Sequence, residues 1–167
     1  MPKSDQGVSN DRYQVIPRTL IFITSKEQVL MLKGADHKRL WAKKYNGIGG
    51  HVELGEDIYG AARRELKEEA GLEVNPLWLC GSIMIDTGES TGIHLFVFKG
   101  IYQGGNLQPS DEGTLEWIPV GNILDYPLVE DLKVILPEIL KMDTGKILYA
   151  QYAYDDHEQL QIQHRVI

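Results

Sequence analysis

Residues 63–72 read RRELKEEAGL. Glu65, Glu68 and Glu69 crowd into one helical turn, with Lys67 as the single lysine among them and Gly71 directly after. The plain reading of an acidic run is a solvated helix face, but the spacing opposes it. At about 100° per residue, with Glu65 set at zero, Glu69 lies near 40° and Glu68 near 300°. Ile58, Ala61 and Ala62 fall on the same side, between about 320° and 60°, while Gly60, Arg63 and Lys67 fall opposite. The pattern predicts a helix over residues 58–70 whose apolar stripe is continued by carboxylates at its C-terminal end. Glu56 and Asp57 suit the positive end of the helix dipole, and Gly71 stands where a left-handed cap belongs.

Inward carboxylates roughly 5–6 Å apart repel one another, and burial raises their pKa values. A cation relieves both penalties. Hard divalent ions take oxygen ligands, and Mg²⁺ combines a few carboxylates with water and phosphate oxygens. A salt-bridged helix stays open beside the metal site, with Arg64 one turn before Glu68. The lead-in, Asn46-Gly47-Ile48-Gly49-Gly50, adds glycines that let backbone groups approach a ligand closely.

Further out, 167 residues with 43% apolar and 25% charged content fit one globular domain, residues 13–167, behind a disordered tail at 1–12. A net charge of -7 opposes sequence-independent binding to a nucleic-acid polymer. A small anionic ligand remains compatible where metal ions neutralise the charge locally. Cys80 is the sole cysteine, so no internal disulfide forms and a buried thiol is expected. No apolar run approaches the roughly 20 residues that span a bilayer, and the N-terminus lacks the apolar core of a signal peptide. These features give the expectation of a cytoplasmic protein without a membrane partner.

Apolar runs at 19–23 and 29–32 read as a hairpin, followed by a basic loop over 33–44. Strands are expected at 77–85, 93–102 and 115–118, then a second helix over 129–141 interrupted by Pro137. A last hairpin joins 147–154 to 160–166. Strands, helix, strands, helix, strands is the order of a mixed α/β layer fold.

Gly50, Glu56, Arg64-Glu65-Leu66, Glu68-Glu69 and Gly71-Leu72 together fill every position of a 23-residue box, and the box resembles that of the Nudix hydrolases. Asn46 to Gly50 resembles the run before the box in MutT-like enzymes that cleave oxidised purine nucleoside triphosphates. Residues 110–117, SDEGTLEW, resemble the downstream loop that sends one more carboxylate to the metals. The resemblance implies a mixed sheet sandwiched between helices, and Mg²⁺-dependent (or Mn²⁺-dependent) hydrolysis of a nucleoside diphosphate linked to a further group. By motif position, Glu65, Glu68, Glu69, the Gly49 carbonyl and Glu112 would hold metal. Glu65 would also take the proton from water, and Arg64 would orient Glu65 or Glu56.

For substrate contacts the resemblance implies Asn46 and Gly50 beside the box, Lys33 for phosphate, and Tyr126, Glu130 and Asp131 before the last helix. Asn46 serves equally as a turn residue, and the two acids equally as an acidic first turn. Some oxidised-purine enzymes carry a tryptophan beside those acids, whereas Tyr126-Pro127-Leu128-Val129 stands here, a departure that weakens the case for 8-oxo-dGTP itself. Trp78 and Trp117 read as core, His51 and His94 as packing residues, and Lys43 as a second phosphate contact. The implied small-molecule substrate is a nucleotide: a nucleoside triphosphate first, then ADP-ribose or a dinucleoside polyphosphate. A non-catalytic nucleotide-binding module is the remaining reading, and the intact box disfavours it.

Overall fold

The computed structural model describes residues 1–7, 9, 11–37, 41–108 and 110–167. Lys38 and Arg39, expected in the solvated basic loop, lie outside them. The strands are β1 (Gln14–Ser25), β2 (Gln28–Gly34), β3 (Tyr45–Asn46), β4 (Trp78–Ile85), β5 (Thr91–Ile101), β6 (Gly113–Pro119), β7 (Leu148–Tyr154) and β8 (Leu160–Val166). Among the described residues two α-helices accompany them, α1 (Ile58–Ala70) and α2 (Leu132–Lys141), with short 3-10 turns at Lys3–Gln6 and Val120–Asp125. One mixed sheet runs in the order β3-β2-β1-β5-β4-β7-β8, with β6 on the other edge of β2. β1 is parallel to β5 and β4 to β7, while the hairpins are antiparallel.

Strand alternation sends successive side chains to opposite faces. Leu20, Phe22, Val29 and Met31 join Leu132, Ile135, Leu136 and Ile139 of α2 in one core. Ile21, Ile23 and Leu30 join Ala62, Leu66 and Ala70 of α1 in the other. The sheet is therefore sandwiched between helices.

β1 and β2 pair only at their hairpin ends, Ile23 to Ser25 against Gln28 to Leu30. They then part, and residues 45–51 fill the gap. β3 pairs with β2, then Ile48 bridges Ile21 and His51 bridges Arg18 of β1.

The structure extends or trims several elements. β1 begins at Gln14, well before residue 19, because its parallel ladder with β5 runs unbroken from Gln14 and Thr91 to Thr24 and Ile101. α2 begins at Leu132 and not at 129, because the Val129 and Glu130 carbonyls accept the N–H groups three residues on, from Leu132 (3.1 Å) and Lys133 (3.2 Å), which makes 129–131 a tighter turn and not α-helix. Pro137 lies inside α2 without ending it. Lys99 of β5 reaches the end of that helix, donating from Nζ to the carbonyls of Ile139 (3.0 Å) and Met142 (2.7 Å). Cys80 is a free buried thiol, and burial pushes its pKa up to about 12. Among the described residues no helix is long and apolar enough to cross a membrane.

Candidate active site

α1 has the boundaries that its caps dictate. Asp57 accepts the Gly60 N–H at 2.7 Å, and Gly71 closes the helix at φ 68°. Its C-terminal carboxylates then meet the glycine-rich turn. Glu69 is 9% exposed and accepts the Gly49 N–H at 3.1 Å. The Glu65 side chain, 12% exposed, lies flat on Gly50, where a Cβ would stand 2.4 Å from Oε1. At Gly49 a Cβ would stand 2.1 Å from the Thr19 carbonyl oxygen. Only glycine admits this approach of turn, strand and helix. Glu68 departs from the wheel: its side chain is 59% exposed, at the margin of the inward arc.

Arg64 ties the cluster together. Its Nε and Nη2 fork onto Glu56 at 3.2 and 2.8 Å, and Nη2 also donates to the His51 carbonyl at 2.9 Å. Nη1 is shared between Glu65 (2.8 Å) and Glu68 (3.0 Å). Charge-assisted, forked bonds of this kind are the strong ones. Arg64 holds the Glu56 carboxyl below its ordinary value of 4.5, and Glu56 first, then Glu65, raises the guanidinium. Glu56 also accepts the Glu53 N–H at 2.7 Å, which fixes the turn before α1. Among the described residues no three acidic, histidine or cysteine side chains form a ready-made metal cluster; Arg64 stands between Glu65 and Glu68. The donor set nonetheless fits a hard divalent ion: the converging side chains are all carboxylates, at a turn whose glycines let them pack against the backbone.

A second group of residues meets at β3. Tyr45 bonds both ways with the segment before α2, through Pro127 (2.9 Å) and Val129 (3.0 Å). Its hydroxyl donates to Glu116 at 2.7 Å, and its ring meets Tyr126 edge-on at 5.5 Å. Burial first, then Glu116, pushes the Tyr45 hydroxyl up to about 12. Asn46 follows, its Oδ1 accepting the Gly47 N–H at 2.8 Å. Asp131, just before α2, accepts the Tyr152 hydroxyl at 3.3 Å; burial raises both groups. Glu130 is exposed. Lys33 lies 4.0 Å from Glu116 and over the Tyr45 ring, and Lys43 lies 3.5 Å from Asp36.

The NUDIX domain family model matches residues 15–139. The chain belongs to the Nudix hydrolases. It is 36% identical over 106 residues to the oxidized purine nucleoside triphosphate hydrolase of Danio rerio, covering 63% of this chain and 67% of that one. The enzyme of the same description from Mus musculus is 31% identical over 124 residues, covering 74% and 78%. In structure it is similar to a MutT protein from Bacillus halodurans, with TM-score 0.75, 28% identity, and coverage of 90% of this chain and 97% of that one.

In this Nudix hydrolase the residues expected at the site fall into two groups. Glu56, Arg64, Glu65, Glu68, Glu69, Gly49 and Gly50 meet around the N-terminal half of β1. Asn46, Tyr126 and Asp131 gather around β3 and the start of α2. The loop carrying Glu112 is pinned to the end of α1 by Gln108, whose N–H donates to the Ala70 carbonyl at 3.0 Å, and the Glu112 backbone carbonyl accepts the Ala35 N–H at 3.1 Å. His51 is exposed and acts through its carbonyl, contrary to a packing role. His94 does pack, 4.0 Å from the Phe96 ring. Trp78 and Trp117 are only partly buried, Trp117 against Tyr102. Sequence reasoning missed Glu116 and Tyr152, which sit in strands far from Tyr45 and Asp131 along the chain. A cavity of about 340 Å³ lined by Tyr13, Met84, Asp86, Ala150 and Gln151 contains none of these residues.

Proposed function

We propose that this Nudix hydrolase cleaves a purine nucleoside triphosphate, oxidised purines included, to the monophosphate and pyrophosphate with Mg²⁺. The observation that carries the reading is the meeting of Glu65 and Glu69 with the Gly49–Gly50 turn, three residues after Asn46. The names of the rodent and fish relatives support the substrate class.

Glu65, Glu68, Glu69, Glu112 and the Gly49 carbonyl would hold the metal. When bound, Mg²⁺ neutralises charge on the phosphates and lowers the pKa of a coordinated water. Glu65 is the proton acceptor for the attacking water, positioned by Arg64 and by the flat face of Gly50. Glu56 acts through Arg64, holding it by a fork so that Nη1 stays aimed at Glu65. Gly50 lets the Glu65 carboxylate lie directly against the backbone of the turn that faces the phosphates. Asn46, with its Oδ1 held by the Gly47 N–H, keeps its amide N–H₂ as the group that would donate to a base edge. Tyr126 supplies a ring and Asp131 a carboxyl on the far side; Glu130 and Lys33 sit at the rim.

A substrate panel tests the reading: ordinary and oxidised purine and pyrimidine triphosphates, ADP-ribose and dinucleoside polyphosphates, each with Mg²⁺. Release of pyrophosphate from purine triphosphates is expected. Turnover of ADP-ribose alone would replace this reading, and no turnover of any would remove the enzyme activity altogether.

A further inference from the structure

Arg18 is a cation in an aliphatic setting. It shares the α2 side of β1 with Leu20 and Phe22, and its register neighbours are Leu95 of β5, Ile83 of β4 and Ala150 of β7. Its Nε is buried and has no hydrogen-bond partner among the described residues. Leaving a buried donor unpaired is costly, and the rare native cases call for an explanation. Arginine carries donors only and stays charged, so the missing partner is an acceptor.

The surroundings say which acceptor. A Cβ on Gly47 would stand 2.8 Å from Leu20 Cδ1 and 2.9 Å from Phe22 Cε1, so the Asn46–Gly47 turn lies over this same face. Arg18 is one residue pair along β1 from Leu20, a repeat of roughly 6.6 Å. Three strands away, near the opposite wall, Tyr152 holds Asp131; at about 4.8 Å per strand the gap is about 14 Å, enough for a purine with side-chain reach at each end. Glu65, Glu68 and Glu69 belong to α1, on the other side of the sheet. The group that meets Arg18 is therefore the base, and the phosphates lie toward α1.

We propose that Arg18 donates to the carbonyl at position 6 of the purine, selecting 6-oxo purines over 6-amino purines. This rests on the nucleotide reading above. The 6-amino group of adenine would set donor against donor, whereas guanine and hypoxanthine place an acceptor there. A site built around such a bond rejects the analogue that leaves it unpaired.

Calorimetric binding of the α,β-methylene analogues of ITP and ATP, with Mg²⁺, tests the assignment. The wild type is expected to favour the ITP analogue by about tenfold or more. Arg18→Met brings that ratio to within about twofold by weakening ITP and not ATP, and Arg18→Lys retains part of it. The unfolding midpoint of Arg18→Met is expected at or above that of the wild type, because a buried, unpaired Nε on a half-buried side chain gives way to an apolar chain. Equal loss of both nucleotides, or a lowered midpoint with the ratio intact, would make Arg18 structural and overturn the proposal. Binding of neither analogue by the wild type would sink the nucleotide reading, and this inference with it.

Discussion

Apart from Glu112, the carboxylate end of the site is built from one unbroken stretch, residues 49–69, while the Asn46 end draws on β3, the segment before α2, and β7. At the first, a helix with its own caps carries Glu69 back onto the turn 20 residues upstream in sequence, and one arginine binds Glu56, Glu65, Glu68 and the His51 carbonyl. At the second, each contact is tertiary: Tyr45 to Pro127 and Val129, Tyr45 to Glu116, Asp131 to Tyr152. Local construction suits a geometry that must not vary, because catalysis is lost over shifts of about 1 Å. Tertiary construction suits a part that sets preference, since its pieces change independently.

The sharpest way to break this contrast is at Glu69. Glu69→Gln keeps an acceptor for the Gly49 N–H and removes the charge, so turnover should fall by about 10²- to 10³-fold while the fold survives. Steady-state kinetics across a Mg²⁺ titration measure it, and near wild-type turnover would take Glu69 out of the metal set. Next is Gly50→Ala, whose Cβ would sit 2.4 Å from Glu65 Oε1. It should cost about 100-fold in kcat with KM nearly unchanged; an unaffected kcat means that Glu65 moves freely and that the tight fit is incidental.

At the other end the effects should be smaller and of another kind. Asn46→Ala removes one neutral hydrogen-bonding group and is expected to raise KM about tenfold at nearly constant kcat. If kcat falls instead, Asn46 serves the turn and not the base. The smallest effect concerns Glu56. Its carboxyl is held below 4.5 in the folded chain by Arg64, so this contribution to stability is present above that value and is lost as pH falls through the lowered one. Thermal melts of wild type and Glu56→Gln should differ by a few degrees at neutral pH and converge in strong acid. Parallel curves at all pH would leave the Arg64 fork without a stabilising role.

The same contrast decided what could be read in the residues beforehand. α1 was legible at both ends because Asp57 and Gly71 are local signals, and the wheel found Glu65 and Glu69 inward. Glu68 was misjudged because a wheel has no partner surface: at the edge of the arc, exposure depends on what packs there. β1 was cut short because its early half is defined by β5, far away in the chain, and carries polar and proline residues that give no strand pattern. β3, two residues long, has no period to detect. The start of α2 is read too early because Val129 continues its apolar stripe, and a turn closed by three-residue bonds from Val129 and Glu130 leaves no mark in that stripe. Glu116 and Tyr152 were invisible as site residues for the same reason, since only the sheet register brings them near Tyr45 and Asp131.

The passage of residues 45–51 from β2 to β1 makes their number as important as their identity. Tyr45 and Asn46 are indexed to Lys33 and Leu32, Ile48 to Ile21, and His51 to Arg18. One residue inserted between Asn46 and Gly49 would shift one set of pairings against the other and turn Glu69's partner amide away, as any single-residue slip in a ladder does. The segment works as a ruler between the two ends of the site: substitutions tune it, but a change of length would erase the distance it sets.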